Sequence, residues 1–360
     1  MTIGVLTGGG DCPGLNAVIR AIVKSASTCH QWNVIGIEEG YDGLRTPVKT
    51  RPLTASTIRG ILPMGGTILG AASGMDPAKV LEETDDLEGG KITREIKKNI
   101  QELRLSCLIA MGGDGTMKIA QALHREGIPV IGIPKTIDND IPNTDLTFGF
   151  QTAVNTATDA LDKLHTTAES HHRVIVVEVM GRYAGWIALE AGIAGGADVI
   201  LIPEIPFHID QVRKKIVNRY EQGHRFSIVV AAEGAKPFGG EMSVIKRSDS
   251  GYVERLGGIG NKVGEQIAVR TSMDVRVTVL GHLQRGGSPT PFDRILATRF
   301  GVAAVEFISK KRFGEMVCLH HNNIQSTPLA SVIHDLKTVP PEGSLVKTAE
   351  ALGISFGRFP

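Results

Sequence analysis

The amino-acid sequence is poor in cysteine, in net charge and in long hydrophobic runs, and each scarcity excludes a class of protein. Its 360 residues include four cysteines and no Cys-x-x-Cys pair, which excludes a disulfide scaffold or zinc ribbon and predicts reduced thiols in a cytoplasmic protein. Lysine and arginine number 39 against 38 acidic residues, so we predict neither nucleic acid nor a membrane surface as a partner. The chain contains no apolar run of 18 residues, so no membrane-spanning helix is predicted.

Glycine, by contrast, is abundant, and its distribution guides the interpretation. The chain holds 43 glycines, about 12% where roughly 7% is average. They show no collagen period and gather in short clusters after apolar segments. Hydrophobic residues make up 42% of the chain, which is enough to bury a large core, and a length of 360 residues predicts about two domains.

Short apolar runs alternate with segments of helical periodicity, and polar or glycine loops separate them. Strands are predicted at residues 3–6, 34–37, 105–111 and 129–133, and again at 174–179, 199–202, 228–232 and 275–280. Helices are predicted at 117–125 and 152–164, and the charged segment 82–99 is predicted to be a solvated helix or surface excursion, or less favourably a partner contact. This alternation predicts an α/β fold with mainly parallel sheets, in which ligands bind beyond the carboxyl ends of strands.

The first glycine loop, residues 8–14, enters a predicted helix. Backbone N–H groups at such a position can hold an anion, although a tight turn without a ligand remains open. The loop is neither a Walker A loop nor a Gly-x-Gly-x-x-Gly loop, since Pro13 occupies the third glycine position. Cys12 lies within it and is interpreted as a packing residue rather than a nucleophile.

The second glycine loop, residues 112–116, contains a carboxylate. Asp114 among glycines would repel a bare phosphate, so its presence indicates a Mg²⁺ ion that bridges the carboxylate and phosphate oxygens. The alternative is that Asp114 caps the helix predicted at 117–125.

The third loop follows the strand at 129–133 and carries Asp138 and Asp140. If the two neighbouring strands pair in parallel, Asp114 and Asp138 face one cleft, where one can hold metal and the other can accept a proton from a hydroxyl. The alternative is that these aspartates stabilise a turn by side-chain hydrogen bonds.

Four arginines are predicted to lie at or just beyond strand ends of the second half of the chain. Guanidinium groups suit phosphate dianions, although a single arginine is more often part of a surface salt bridge. Together with His282 they favour a sugar-phosphate pocket. The four are Arg173, Arg182, Arg276 and Arg285.

Five segments together resemble the 6-phosphofructokinase family over residues 1 to about 310. The Gly-Gly-Asp-Gly-Thr segment alone also occurs in NAD kinases and lipid kinases, so another kinase of that superfamily is an alternative. In combination with the segments at 134–141 and 281–289, this segment is far more specific for the 6-phosphofructokinase family. The five segments are Thr7-Gly-Gly-Gly-Asp-Cys-Pro-Gly-Leu-Asn16, Gly112-Gly-Asp-Gly-Thr116, Pro134-Lys-Thr-Ile-Asp-Asn-Asp-Ile141, Glu178-Val-Met-Gly-Arg-Tyr-Ala-Gly185 and Gly281-His-Leu-Gln-Arg-Gly-Gly-Ser-Pro289.

The resemblance implies two doubly wound, Rossmann-like three-layer domains with the active site in the cleft between them. The donor domain would comprise 1–149 plus about 285–335, and the sugar-phosphate domain 150–284 plus the C-terminal tail. It also implies Mg²⁺-dependent phosphoryl transfer from ATP to the 1-hydroxyl of fructose 6-phosphate. The products would be fructose 1,6-bisphosphate and ADP, as in glycolysis.

The resemblance further implies roles for individual residues. Asp138 would be the general base, supported by Thr136 and Asp140, and Arg182 would stabilise the transferring group. Arg173 and Arg276 would reach a neighbouring subunit's site, so the protein would be a homo-oligomer, usually a tetramer and otherwise a dimer. Donor-binding residues would be Gly10, Gly113, Asp114 with Mg²⁺, Gly115 and Thr116; substrate-binding residues would be Thr136, Ile137, Asp138, Arg173, Met180, Gly181, Arg182, Glu233, Arg276, His282 and Arg285.

Two positions bear on the phosphoryl donor. The family's pyrophosphate users resemble Gly-Gly-Asp-Asp in the second loop and Pro-Lys-Thr-Ile-Asp in the third, and this chain combines Gly115 with Lys135. An aspartate at 115 would repel the α-phosphate of a nucleotide, so Gly115 favours ATP, and Lys135 keeps pyrophosphate as the alternative. The chain departs from the family at 72–74, where Ala-Ser-Gly replaces an arginine that bridges both substrates. Arg20 and Lys24 match only part of the bacterial effector site, which puts the usual allosteric control in doubt.

Overall fold

Mainly apolar runs of five or six residues form the inner strands of both sheets, and the segments of helical periodicity between strands form the helices. The computed structural model describes residues 1–71, 88–246 and 255–359. Its strands are β1 (Thr2–Thr7), β2 (Asn33–Ile37), β3 (Thr50–Leu53), β4 (Cys107–Gly112), β5 (Val130–Pro134), β6 (Val174–Val179), β7 (Val199–Leu201), β8 (Ser227–Ala232), β9 (Val244–Lys246), β10 (Arg255–Leu256), β11 (Val275–Val279), β12 (Glu315–His320) and β13 (Asn323–Pro328). Its α-helices are α1 (Leu15–His30), α2 (Glu88–Glu102), α3 (Asp114–Arg125), α4 (Phe150–His171), α5 (Trp186–Ala194), α6 (Ile209–Glu221), α7 (Ile259–Thr271), α8 (Pro291–Ser309) and α9 (Ser344–Ala351).

These elements confirm the predicted strands to within about two residues at either end. The predicted helix at 117–125 begins earlier, at Asp114, and the one at 152–164 extends over Phe150–His171. Of the charged segment 82–99, the part from Glu88 onward is helical as predicted, but it is solvated on one face only, because Ile92 and Ile96 are buried. Residues 82–87 lie outside the described residues. The four cysteines are free thiols, as predicted. No helix in the described part of the chain is long and apolar enough to cross a membrane.

The chain divides into two compact units. Unit 1 comprises Met1–Ile137, Ile141–Thr152 and Arg285–Leu336, and unit 2 comprises Asp138–Asp140, Ala153–Gln284 and Lys337–Pro360. Each unit has its own sheet, and the polypeptide passes between the units several times.

Unit 1 is built on a seven-stranded sheet in the order β13-β12-β5-β4-β1-β2-β3. The five inner strands run parallel, and the two edge strands, β3 and β13, are antiparallel to their neighbours. Leu6 and Leu108 contribute to a core cluster that also contains Ile96 of α2 and Met117 of α3. Helix α1 approaches α8 so closely that a Cβ at Gly301 would lie 2.8 Å from a backbone oxygen of α1.

Unit 2 is built on a four-stranded parallel sheet in the order β11-β6-β8-β7. Its core joins strand residues such as Val176 and Val229 to Val212 of α6 and Val263 of α7. Strands β9 and β10 form a separate antiparallel pair. Both sheets therefore confirm the predicted α/β class with mainly parallel strands.

Candidate active site

Three loops of unit 1 lie side by side at the carboxyl edge of its sheet. They follow β1, β4 and β5, which are consecutive strands of the sheet. The predicted parallel pairing of β4 with β5 is confirmed by the register Ile109 to Ile131. The main chain continues the ladder into the loops, since the N–H of Gly8 donates to Met111 O at 2.8 Å and that of Lys135 donates to Gly112 O at 2.9 Å.

The side chain of Thr116 occupies the space between the first two glycine loops. A Cβ at Gly112 would lie 2.1 Å from Thr116 Oγ1, and one at Gly8 would lie 2.5 Å from it. Contacts this short exclude any side chain at either glycine. These two glycines are therefore required by packing against Thr116 within the protein.

Asp114 occupies the first turn of α3 rather than its cap. Gly113 is the N-cap residue, so the alternative in which Asp114 caps the helix is wrong. The carboxylate pairs with Lys118 Nζ at 2.7 Å, and about a third of its side chain is exposed. An accessible carboxylate in a first turn is stabilised by the helix dipole. A single accessible carboxylate is also the kind of ligand that Mg²⁺ takes when phosphate oxygens and water complete its shell.

Two cations approach the first glycine loop. The buried Lys135 donates from Nζ to Gly10 O, and Arg285 donates from Nη1 to Asp11 O at 3.3 Å. A Cβ at Gly10 would lie 2.7 Å from Arg285 Nη1, so the absence of a side chain there lets the guanidinium reach the backbone. Two positive groups against a glycine loop form an environment suited to a phosphate anion.

The thiol of Cys12 in the same loop is fully buried. Burial raises its pKa to about 12, so the thiol is neutral near pH 7 and is a poor nucleophile. This bears out its interpretation as a packing residue.

The buried side chain of Asn16 holds a fourth segment of unit 1 in place. Its Nδ2 donates to Met64 O at 3.2 Å and Gly65 O at 3.1 Å, and its Oδ1 accepts from Ile68 N at 2.9 Å. This role of Asn16 was not predicted from the sequence, although a polar residue among apolar neighbours in the first turn of α1 was the available signal. The segment leads towards positions 72–74, the predicted site of the missing arginine, which lie outside the described residues.

The third loop begins in unit 1 and continues in unit 2. Thr136 accepts at its carbonyl a hydrogen bond from Thr147 Oγ1 at 2.8 Å, and Ile137 is fully buried. Asp138 and Asp140 are partly exposed, and Asn139 between them is buried with φ +51°. This left-handed conformation favours asparagine among residues with a side chain, so the tripeptide makes a sharp turn.

Three loops of unit 2 converge at the carboxyl edge of its sheet, after β6, β8 and β11. The N–H of Glu233 donates to Val179 O at 2.8 Å, and that of Gly234 donates to Gly181 O at 3.1 Å. Gln284 accepts from Met180 N at 3.2 Å. This edge therefore brings together four of the predicted substrate-binding residues, Met180, Gly181, Glu233 and His282.

Two positions in this region require glycine, each for a different physical reason. Gly181 adopts φ +137°, in which a side chain would be strained. A Cβ at Gly234 would lie 1.9 Å from Arg182 O, so only glycine permits this approach of the two loops.

Arg182 lies beside a small pocket of unit 2. The pocket has a volume of about 150 Å³ and is lined also by Tyr183, Glu204, Lys236 and others. The guanidinium carbon lies 5.0 Å from the centroid of the Tyr183 ring. The Nε atom is buried without a hydrogen-bond partner in the described ranges 1–71, 88–246 and 255–359. Since a buried donor normally has a partner, this atom indicates a position where an anion can bind.

The placement predicted for the other arginines needs correction. Arg173 immediately precedes β6 and Arg276 is the second residue of β11, so both lie at the amino edge of the four-stranded sheet, away from the loop of Arg182. Both contact Asp274, with Arg173 Nε at 2.6 Å, and these arginines hold the pKa of that carboxyl below its ordinary value. Arg285 belongs to unit 1. The four arginines therefore do not form one cluster within unit 2, because two of them lie at the start rather than the end of their strands.

A parallel sheet with glycine and aspartate loops at its carboxyl edge is typical of α/β proteins that bind phosphate groups. Comparison with known proteins identifies the family within that class. Residues 2–308 match the family model described as Phosphofructokinase. The chain therefore belongs to the phosphofructokinase family, a family of phosphotransferases, as the five loops predicted. This match decides against the NAD kinase alternative.

Individual relatives agree with the family match. The chain is 54% identical to the ATP-dependent 6-phosphofructokinase of Chloroflexus aurantiacus, over 99% of this chain and 97% of the relative. It is 50% identical to the pyrophosphate–fructose 6-phosphate 1-phosphotransferase of Amycolatopsis mediterranei, over 95% of this chain and 97% of the relative. The phosphofructokinase structure from Saccharomyces cerevisiae has a TM-score of 0.78 and 29% identity over 98% of this chain. The present chain spans 46% of that longer polypeptide.

Proposed function

We propose that this chain is an ATP-dependent 6-phosphofructokinase. It transfers the γ-phosphoryl group of ATP to the 1-hydroxyl of fructose 6-phosphate and yields fructose 1,6-bisphosphate and ADP, a reaction of glycolysis in the cytoplasm. The observation that carries the donor side is the buried Lys135, whose Nζ donates to Gly10 O in the first glycine loop. The names of relatives that match nearly the full length of the chain support the same activity.

On the donor side, unit 1 supplies the phosphate-binding loops. Gly10, Gly113 and Gly115 offer backbone N–H groups, and Thr116 keeps the two loops in contact. Asp114 would hold Mg²⁺, which when bound neutralises charge on the phosphates. The fit is supported by the accessibility of this carboxylate, although its ion pair with Lys118 would have to open.

On the acceptor side, Asp138 removes the proton of the attacking hydroxyl. Thr136, Ile137 and Asp140 support this loop. Arg182 donates hydrogen bonds to the transferring phosphoryl group, which explains a buried Nε that is unpartnered within the described residues. We propose that Met180, Gly181, Glu233, His282 and Arg285 bind the sugar phosphate.

Arg173 and Arg276 serve the active site of a neighbouring subunit in this proposal. Their location at the amino edge supports it, because that edge is opposite to the one that carries Arg182. The protein would then be a homo-oligomer, a tetramer or a dimer, in which each subunit completes the site of another.

Pyrophosphate is the second candidate donor. Lys135 and the relative from Amycolatopsis mediterranei favour it, whereas Gly115 favours ATP. A coupled assay at fixed fructose 6-phosphate should give a much higher rate with ATP than with pyrophosphate, and Gly115→Asp should lower the rate with ATP through repulsion of the α-phosphate. Equal or faster turnover of the unmodified protein with pyrophosphate would overturn ATP as the donor.

The same assay tests the base. Asp138→Asn should reduce kcat by roughly 10²–10⁴-fold while the circular dichroism spectrum and unfolding midpoint stay near those of the unmodified protein. A folded variant with full activity would remove Asp138 from the role of base.

A further inference from the structure

A short C-terminal segment of unit 2 contacts two loops that carry the proposed catalytic residues. After unit 1 ends at Leu336, residues 337–339 return to unit 2. The first of them, Lys337, bonds to the loop of Asp138 in two ways. Its N–H donates to Asp140 O at 2.8 Å, and its Nζ donates to Asn139 Oδ1 at 2.8 Å. A backbone bond and a side-chain bond from one residue therefore fix two successive positions of the loop.

The same segment is bonded to the loop of Arg182. Trp186 Nε1 donates to Lys337 O at 2.9 Å, and the Lys337 ammonium lies 5.9 Å from the centroid of the Trp186 ring. Glu204 Oε1 accepts from Val339 N at 2.8 Å and from Gly185 N at 3.0 Å. Residues 185 and 186 directly follow the Arg182 turn and begin helix α5. The segment 337–339 is thus a tether between the two loops.

The conformation of the tethered tripeptide explains why such a tether is useful. Asn139 has φ +51°, a conformation that an isolated chain adopts rarely and that needs support from its surroundings. A charge-assisted hydrogen bond to its amide oxygen is stronger than a neutral one. The direction of the adjacent Asp138 side chain follows from this turn, and a displacement of about 1 Å at a reacting group can cost on the order of 10²-fold in rate.

We propose that Lys337 is a positioning residue for phosphoryl transfer. It acts through Asn139 on the orientation of Asp138, and its carbonyl bond to Trp186 keeps that loop in register with the loop of Arg182. This inference rests on the proposed roles of Asp138 and Arg182. A purified unmodified protein that fails to phosphorylate fructose 6-phosphate would refute the proposed function before any variant is compared.

The first test replaces Lys337. Lys337→Met keeps the aliphatic chain and removes the ammonium, and we expect kcat to fall about 10–100-fold with KM for both substrates within about twofold. Lys337→Arg, which can still donate to the amide, should recover most of kcat. The matched control is Lys347→Met, the same change at an exposed residue of α9, which should leave kcat unchanged. A folded Lys337→Met variant with unchanged kcat, or a rise in KM alone, would overturn the proposal.

The second test separates positioning from general stability. In an Asn139→Ala background, Lys337→Met should lower kcat by less than about twofold, because the hydrogen bond between the ammonium and the Asn139 amide is already lost. If the kcat losses of Asn139→Ala and Lys337→Met are fully additive in the double variant, Lys337 does not act through Asn139 and the proposal is overturned. If Lys337→Met does not fold, Trp186→Phe takes its place, since it keeps a smaller aromatic ring and removes the indole donor. We expect a fall in kcat of about threefold or more at unchanged KM, and unchanged kcat would contradict the tether.

Discussion

The two edges of the four-stranded sheet of unit 2 use the same side-chain chemistry in opposite ways. At the carboxyl edge, Arg182 has a buried Nε without a partner in the described residues and lies beside a pocket. At the amino edge, Arg173 and Arg276 are paired with one exposed aspartate, Asp274. An arginine therefore indicates an anion-binding site only when its hydrogen-bond and ion-pair partners within the protein are known.

The carboxylates at the two edges differ in burial and in the kind of partner. Glu178, near the carboxyl end of β6, is buried and accepts from Gly258 N at 3.1 Å and Gly260 N at 2.8 Å, where it holds the start of α7. Asp274 is exposed and accepts from two arginine side chains. The carboxyl edge thus combines a buried, backbone-bonded carboxylate with the buried Nε of Arg182, whereas the amino edge presents a solvated cluster. Four experiments test this contrast, in order of decreasing expected effect.

The largest effect is expected at Arg182. Arg182→Ala should lower kcat by about 10²–10³-fold, since it removes donors that act on the charge of the transferring group. Steady-state kinetics with fructose 6-phosphate and ATP measures the loss. Arg225→Ala, at an exposed residue of the same unit, is the control and should retain full activity. An Arg182→Ala variant with unchanged kcat would place Arg182 outside the reaction.

A smaller effect is expected at the amino edge. Arg276→Ala should raise KM for fructose 6-phosphate by roughly tenfold, the cost of one charge-assisted hydrogen bond, with kcat within twofold. Mixed oligomers of Arg276→Ala and Arg182→Ala subunits should exceed the summed activity of the separate variants at low fructose 6-phosphate. The reason is that some shared sites would then contain both arginines. Activity equal to the sum would contradict the contribution of Arg276 to a neighbouring site.

The third effect concerns stability. Glu178→Gln places an amide where two N–H groups need an acceptor, and it should lower the free energy of unfolding by about 1–3 kcal/mol. Asp274→Asn is the matched change at the other edge and should have no comparable effect, because water can replace its partners. Urea denaturation of both variants measures the difference. Equal losses would show that burial does not distinguish the two carboxylates.

The smallest effect is the pH dependence contributed by Asp274. The pKa of this carboxyl is lowered from its ordinary value of 3.8, first by its hydrogen bond with Arg173. A lowered pKa in the folded state stabilises the protein above about pH 4, and the contribution disappears as the pH falls below that value. Thermal unfolding at low salt should therefore show a slightly smaller loss of midpoint between pH 5 and pH 3 in Asp274→Asn. A larger loss in the variant would reverse the assigned sign.

Much of the fold could be predicted from the sequence because strand and helix periodicity are local properties. The predicted strand 174–179 is β6 residue for residue, and the family resemblance in five loops is confirmed by the family match. Errors arose where a residue's surroundings decide its position. Asp114 was a plausible cap until the structure showed Gly113 in that place, and Arg276 was assigned to a strand end although it lies near the beginning of β11.

Contacts between distant segments could not be predicted from local pattern. Lys337 is 198 positions from Asn139, and nothing in the spacing of either segment indicates that they meet. The same holds for Asn16 and residues 64–68, which are joined by three hydrogen bonds. Side-chain partners of this kind depend on how the chain returns to a unit, which periodicity does not encode.

The sequence by itself determined the class of sheet, the family and the glycine loops, because alternating apolar periodicity and short motifs carry that information locally. Only the tertiary structure decided what each glycine accommodates. Gly8 and Gly112 make room for Thr116, whereas Gly10 lets Arg285 reach the backbone. The physical reason is that every glycine lacks a Cβ in the same way. Why glycine is needed at a given position depends on which atom from elsewhere in the chain lies within about 3 Å of the place that a Cβ would occupy.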